Sequence, residues 1–367
     1  MNIKMVDTHS QYLKIKPEID KAIQNVIDSS QFIRGPIVKE FENNIENYLN
    51  CKFAIGCASG TDALQIAMMA IGVNPGDEII TTPFTFVATT ETIALLGAIP
   101  VYVDIDKNTY NIDVSKIEEK ITSKTKAIMP VHLYGEPAEM DRIMDIAKRH
   151  NLFVIEDAAQ ALGAEYKNKK VCTIGHISCI SFYPSKNLGA YGDAGMLTTD
   201  NEEIADKIQM ITSHGSRKKY FHEILGVNSR LDSIQAAVLN VKLRYLDQYC
   251  EERRKAAGKY TKRLIDLYEP PYEIPQAKHI YHQYSIRVKN RDKLQSYLAQ
   301  FGIPSMIYYP VPLHLQKAYK YHYKEGDFPV CENIAKDIIS LPMHTELTDE
   351  QINYICEKIT EFNKRQD

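Results

Sequence analysis

The sequence predicts an α/β protein: a large, mainly parallel sheet with helices on both faces, followed by a smaller α/β lobe. Three observations carry this. Short apolar runs bounded by turn residues alternate with helical periodicity from about residue 53 to residue 211, the pattern of strand–helix–strand units. One long helical stretch, near residues 232–257, then separates this region from a second set of strand and helix signals. The length, 367 residues, supplies enough chain for two lobes with a large core.

The elements follow in order. Residues 1–34 hold a short arm and an amphipathic helix, with Ile19, Ile23, Val26 and Ile27 at helical spacing. Gly35-Pro36 breaks the chain, and the next helix carries Val38, Phe41, Ile45 and Leu49 on one face. Residues 53–57 read as a strand that runs through Ala58-Ser59-Gly60-Thr61-Asp62 into an apolar helix over 63–70. Strands are expected at 77–80, 100–104, 127–133 and 152–155, with helices at 89–96 and 140–148. Further strands lie at 180–182 and 196–199, and a helix at 204–211. In the second lobe, 284–288 alternates as a strand and 291–301 is a helix closed by Gly302. The last helix starts on Thr348-Asp349-Glu350-Gln351, a capping-box pattern.

Chemistry concentrates between residues 154 and 186. The strand at 152–155 ends in Glu156-Asp157, and the run Ile180-Ser181-Phe182 leads to Lys186. An acid closing one strand and a lysine just past another can face one pocket, because open α/β sheets bind ligands at the carboxyl ends of their strands. Such a pair suits pyridoxal phosphate: the lysine forms a Schiff base, and the carboxylate keeps the pyridinium nitrogen protonated. Taken alone, the two residues read as an ion pair or as unrelated surface groups. The strand, small residues and helix start at 58–62 have the geometry that binds phosphate, through free N–H groups and the helix dipole. Ser59 or Thr61 there also reads as an ordinary N-cap. An aromatic in the segment 83–87 could stack on a flat heterocycle or fill a core.

Composition excludes several classes. Lys plus Arg number 44 against 47 for Asp plus Glu, a net −3 that suggests neither a nucleic-acid nor a membrane partner. The seven cysteines include no C-x-x-C pair, so neither a zinc site nor a disulfide framework is expected, and a reducing compartment fits. The opening MNIKMVDTHSQYLKIK is too polar for a signal peptide, and no run approaches a membrane span, so a cytoplasmic location is expected. The Rossmann and P-loop fingerprints are missing.

VIEDAAQ and SFYPSKNLGAYGDAG, in this order and at this separation, resemble the paired signatures of the DegT/StrS-type sugar aminotransferases. The resemblance runs over essentially the whole chain. It implies a fold-type I pyridoxal phosphate transferase, with a large cofactor-binding domain over residues 1–245 and a small C-terminal domain over 246–367. By the same resemblance, Lys186 holds the cofactor and moves the proton, Asp157 faces the pyridinium and Gln160 the phenolic oxygen. Gly60, Thr61 and Ser181 take the phosphate, and Phe86 stacks on the ring. The segment GVNSRLD resembles the family's N-x-R-L/M-D loop, which implies a homodimer in which Asn228 reaches the neighbour's phosphate. Tyr309 and His314 match a segment that lines the sugar pocket, and Arg230 is a candidate for a uronate or glutamate carboxylate.

The implied reaction aminates a nucleotide-linked keto-hexose with L-glutamate, for cell-surface polysaccharide such as lipopolysaccharide O-antigen. GVNSRLDSIQAA and VHLYGEPAEMD resemble the branch that aminates C-3, on UDP-linked 3-keto uronic acids or dTDP-linked 3-keto-6-deoxyhexoses. Amination at C-4 stays open, as does a non-catalytic cofactor-binding protein. Sugar 3-dehydratases of the family carry histidine at the Schiff-base position, which Lys186 argues against.

Overall fold

Residues 1–319 and 322–365 are described by a computed structural model. Helix α1 (Thr8–Ser29) begins on Asp7, whose carboxylate accepts from the Ser10 N–H at 3.0 Å. It bends at Ile15, two residues before Pro17, which has no N–H to give the helical ladder. Helix α2 (Pro36–Leu49) has proline in its first turn and buries all four residues of its predicted face.

The large lobe continues with β1 (Phe53–Cys57), α3 (Gly60–Ala70), β2 (Glu78–Thr81), α4 (Ala88–Leu95), β3 (Ile99–Tyr102) and β4 (Thr125–Ile128). Then come α5 (Met140–His150), β5 (Phe153–Asp157), the short β6 (Glu165–Tyr166) and β7 (Lys169–Lys170), β8 (Ile177–Ser181), β9 (Gly195–Thr199), α6 (Glu202–Ile211) and α7 (Ser233–Leu243). The main sheet has seven strands in the order β1-β9-β8-β5-β4-β2-β3. From β8 to β3 every pairing is parallel. Strand β9 is antiparallel to both β8 and β1, so β1 runs with the others. The carboxyl ends of β1, β8, β5 and β2 therefore share one edge.

Neighbouring strand residues go to opposite faces, as the pleat requires. Ile80, Ile128, Val154 and Ile180 pack with α2 residues such as Phe41 and Ile45. Ile79, Ala127, Ile155 and Cys179 pack with α3 and α6 residues such as Leu64 and Ile208.

Two expectations change. The strand expected over 127–133 stops at Ile128; after Pro130 only Val131 makes a single bridge, to Asp157, and a short 3-10 turn follows at Leu133–Gly135. The helix expected over 232–257 is two, α7 and α8 (Leu246–Leu264), broken at Tyr245. The break lets Leu246 stay in the large-lobe core while Tyr260 and Leu264 enter the core of the second lobe.

Strand β10 (Ala277–Lys278) returns to pair antiparallel with β6 in a small sheet of order β10-β6-β7, and the second lobe holds β11 (Tyr284–Arg287), α9 (Arg291–Gln300), α10 (Pro329–Asp337), β12 (Ile338–Leu341) and α11 (Asp349–Lys364). Strands β11 and β12 pair antiparallel, and α11 opens with the expected Thr348–Gln351 capping box. A further cluster joins the lobes: Phe84, Tyr102 and Tyr134 pack with Leu313, Phe328 and Ile334. Among the described residues no helix is long and apolar enough to cross a membrane.

Phe41 is fully buried, and its ring meets that of Phe182 edge-on at 5.4 Å. Phe41→Ala should lower unfolding free energy by about 3–5 kcal/mol, read from denaturant midpoints. An unchanged midpoint would mean that this helix face is not part of the core.

Candidate active site

Strand β5 ends in two acids that face opposite ways. Glu156 is fully buried and accepts from five donors. These are the N–H groups of Cys172, Ile174 and Gly175, the Ser178 hydroxyl at 2.6 Å, and His132 Nε2 at 2.9 Å. His132 Nδ1 accepts from the Ala138 N–H at 3.0 Å, so the ring proton sits on Nε2 and is donated to Glu156. Burial opposes ionisation of Glu156, but the bonds from His132, Ser178 and Gly175 outweigh it and hold the carboxyl below its usual range. This acid is saturated, and its work is to tie the loops 132–138 and 172–178 to the strand.

Asp157 faces the other way, into a cavity of about 420 Å³. It accepts from the Thr89 hydroxyl at 2.8 Å and the Ala159 N–H at 3.2 Å. Thr85 stands behind Thr89 at 3.0 Å. Burial raises the Asp157 carboxyl above its ordinary value, while Thr89, Ala159 and the charge of Lys186 pull against that. With two donors rather than five, Asp157 keeps lone pairs for a cationic N–H in the cavity.

Lys186 lines the same cavity. Its turn is closed by the Lys186 N–H on the Tyr183 carbonyl and the Ala190 N–H on the Phe182 carbonyl, both at 2.8 Å. Burial pushes its ammonium down to about 8, with the charge of Asp157 opposing. At neutral pH a usable fraction of the amine is therefore unprotonated and nucleophilic.

The start of α3 forms another wall. Ser59 caps the helix, its hydroxyl accepting from the Asp62 N–H at 3.1 Å, and Gly60 and Thr61 line the cavity beside Ser181. A Cβ on Gly60 would fall 2.6 Å from the Ser181 Cβ, and one on Gly195 would fall 2.3 Å from the Ser59 carbonyl. Only glycine lets β9, β8 and the helix start lie this close. The result is a cradle of free N–H groups at the positive end of an 11-residue helix, which suits a phosphate. A phosphate cradle, a half-buried lysine and an under-bonded acid around one cavity match the donor set that pyridoxal phosphate needs.

Two more expected residues are here. Phe86 is 53% exposed at the cavity mouth, 6.2 Å from the Tyr309 ring, whereas Phe84 is buried in the core. Gln160 accepts from the Tyr134 N–H at 2.7 Å and donates to the Tyr309 hydroxyl at 3.1 Å.

Three expected residues lie elsewhere. Asn228 and Arg230 line an adjoining cavity of about 400 Å³, with Asp193 common to both cavities. His314 is fully buried, 3.0 Å from Glu332, with its ring against Phe328. Its side chain has no face on the cavity, so the structure corrects the expectation that it lines the sugar pocket: it packs behind the segment that carries Tyr309.

The cavity also takes residues that sequence reasoning missed: Thr85, Tyr134, Tyr183, Asp193, His282, Gln283 and Tyr308. Thr85 had a signal, since it lies one turn before Thr89 in TTPFTFVATT. His282 and Gln283 had none, because they arrive from the second lobe.

The chain matches the family described as DegT/DnrJ/EryC1/StrS aminotransferase over residues 13–360. A protein of Geobacillus stearothermophilus named pleiotropic regulatory protein is 52% identical over 99% of both chains. The UDP-2-acetamido-2-deoxy-3-oxo-D-glucuronate aminotransferase of Pseudomonas aeruginosa is 45% identical over 98% of this chain and 99% of its own. The structure of NtdA from Bacillus subtilis with bound cofactor PMP superposes with a TM-score of 0.90 at 34% identity, covering 95% of this chain and 82% of that one. The chain belongs to the DegT/DnrJ/EryC1/StrS aminotransferase family, and its cofactor is pyridoxal phosphate.

Three outcomes follow from this geometry. Borohydride reduction and peptide mapping should place the cofactor on Lys186, and Lys186→Ala should abolish turnover. Asp157→Asn keeps the shape but removes the charge; kcat should fall by about 10² or more with cofactor still bound. Near-normal kcat in that variant would assign the charge to another acid. The rate at which apoprotein captures pyridoxal phosphate, followed by visible absorbance, should rise with pH through about 8 rather than through 10.5, the value of an unburied lysine.

Proposed function

We propose that this aminotransferase moves the amino group of L-glutamate to C-3 of a keto-hexose carried on a nucleoside diphosphate. The observation that carries the reading is the meeting of Lys186 and Asp157 in one cavity, with the α3 cradle as its third side. The Pseudomonas relative, named for a UDP-linked 3-oxo sugar, supports the position aminated.

Bound there, pyridoxal phosphate supplies a carbonyl that carries the amino group between half-reactions and a ring that accepts the electron pair of a broken C–H bond. The residues do the rest. Lys186 holds the cofactor and, once freed, removes a proton on one side of the C–N unit and returns it on the other. Asp157 keeps the proton on the ring nitrogen. Gly60, Thr61 and Ser181 hold the phosphate, and Phe86 covers the ring face. Gln160, already bonded to Tyr309, faces the phenolic oxygen. Tyr309 lines the way in for the sugar, and Arg230 serves a substrate carboxylate.

The working unit is a homodimer, and Asn228 of the partner subunit completes the phosphate site. Two features support this. Asn228 lies on an exposed loop beside, not in, the cavity of its own chain. The segment before it exposes Tyr220, Phe221, Ile224 and Leu225, the last by 89%, an apolar surface that a second copy would cover. A cytoplasmic location, a role in cell-surface polysaccharide synthesis, and lobes divided at residue 245 belong to the same reading.

Mass spectrometry decides the substrate. Glutamate is offered with UDP- and dTDP-linked 3-keto and 4-keto sugars, and the 3-keto sugars should gain the amino group. Products from 4-keto sugars alone would move the reaction to C-4. No product from any sugar would favour a regulatory role, as in the name of the Geobacillus relative.

Mixing tests the shared site. Lys186→Ala and Asn228→Ala proteins, each inactive, should regain about a quarter to half of wild-type activity once subunits exchange, because one site of each heterodimer is then intact. Exchange without recovery would place the whole site within one chain.

A further inference from the structure

His282 lines the cavity, is 5% exposed, and stands near enough to Lys186 for the lysine charge to act on it. It comes from the second lobe, on the stretch just before β11. Arg253, itself buried, donates to the carbonyls of Tyr281 and His282 at 3.2 Å and of Met343 at 3.1 Å, and so pins this stretch.

The hydrogen bonds define the tautomer. Asn187, the residue after the lysine, donates its amide Nδ2 to the Ile280 carbonyl at 3.4 Å, which turns its Oδ1 toward His282. His282 Nδ1 is 3.3 Å from that oxygen, so Nδ1 carries the proton. Nε2 is left with a lone pair, met among the described residues only by the Gln283 amide at 3.5 Å, the outer limit of a hydrogen bond. Burial first, then the charges of Lys186 and Arg253, hold the ring neutral.

The freed lysine needs such an acceptor. Asp157 is the acid whose charge reaches Lys186, and in the proposed reading its lone pairs are taken by the ring nitrogen. A released lysine has four rotatable bonds, and productive proton transfer requires one arrangement of them.

We propose that His282 is a positioning residue for Lys186, its Nε2 accepting a hydrogen bond from the lysine ammonium once the reaction releases that amine from the bound cofactor. This rests on Lys186 being the residue that holds the cofactor, which borohydride mapping of the wild-type protein tests separately.

Two variants separate the ring nitrogens. His282→Asn keeps a donor where Nδ1 stood and removes Nε2; His282→Gln keeps an amide oxygen near Nε2. His282→Asn should match wild type in melting temperature and cofactor content, while kcat falls about tenfold or more. His282→Gln should recover most of kcat. A kcat within twofold of wild type in His282→Asn would overturn the assignment. An equal fall in both variants, with or without loss of cofactor, would overturn it too, since it would mark a packing role.

Discussion

Glu156 and Asp157 are chain neighbours with opposite surroundings, and the difference comes from where β5 sits in the sheet. Asp157 pairs with Cys179 of β8, its N–H donates to the Pro130 carbonyl at 2.9 Å, and its carbonyl accepts from the His132 N–H at 3.1 Å. These bonds fix which acid faces the cavity. A slip of one residue would exchange the two. Glutamate would then enter the cavity without Thr89, and aspartate would have to fill, with a shorter stem, a nest of five donors. The parallel register beside β8 thus decides the chemistry as well as the fold, because β8 delivers Ser181 and, through the next turn, Lys186.

Around that pair the molecule is built by close approach. Glycine at 60 and 195 lets the start of α3, the end of β8 and the start of β9 touch backbone to backbone. The second lobe closes the opposite side with side chains that the large lobe lacks: His282, Gln283, Tyr308 and Tyr309. It is held there by the cluster around Phe84 and Leu313, and by Arg253, a buried cation satisfied by three carbonyls rather than by an acid. An arginine so placed costs desolvation, which its hydrogen bonds must offset.

The sequence made the framework legible because periodicity is a local signal. The strands and helices of the large lobe stand close to where their apolar spacing put them, and Val38, Phe41, Ile45 and Leu49 share one buried face. Two elements were misread for one reason: apolar content continued past the point where pairing or packing changed. Val131 still looks like a strand residue after Pro130, and Leu246 still looks helical across the break at Tyr245. The site was legible where its residues sit on the large-lobe strands and turns, as Asp157, Ser181, Lys186 and Gly60 do. His282 was not, since nothing near it in the chain hints that it meets Asn187, 95 residues away in sequence. His314 erred in the other direction: its segment reaches the cavity, but its ring turns back to Glu332.

The loop from Ser229 to Arg230 links these levels. The Ser229 hydroxyl donates to the Asp62 carboxylate at 2.6 Å and accepts from the Ala58 N–H at 3.0 Å, so the loop is fastened to the start of α3. Asn228 and Arg230 flank that anchor and line the adjoining cavity. Arg34, in a left-handed backbone conformation, comes near enough to Arg230 for the two charges to repel. Among the described residues the Arg230 guanidinium has no hydrogen bond or ion pair. Two cations this close are costly in an isolated chain and become favourable when an anion enters between them. The exposed side chains at 220–225 are costly in the same way, in apolar area left in water. A second subunit bringing its own anionic ligands to this edge would relieve both at once. Through Ser229 this charged edge is fastened to the start of α3, the helix whose first residues line the main cavity.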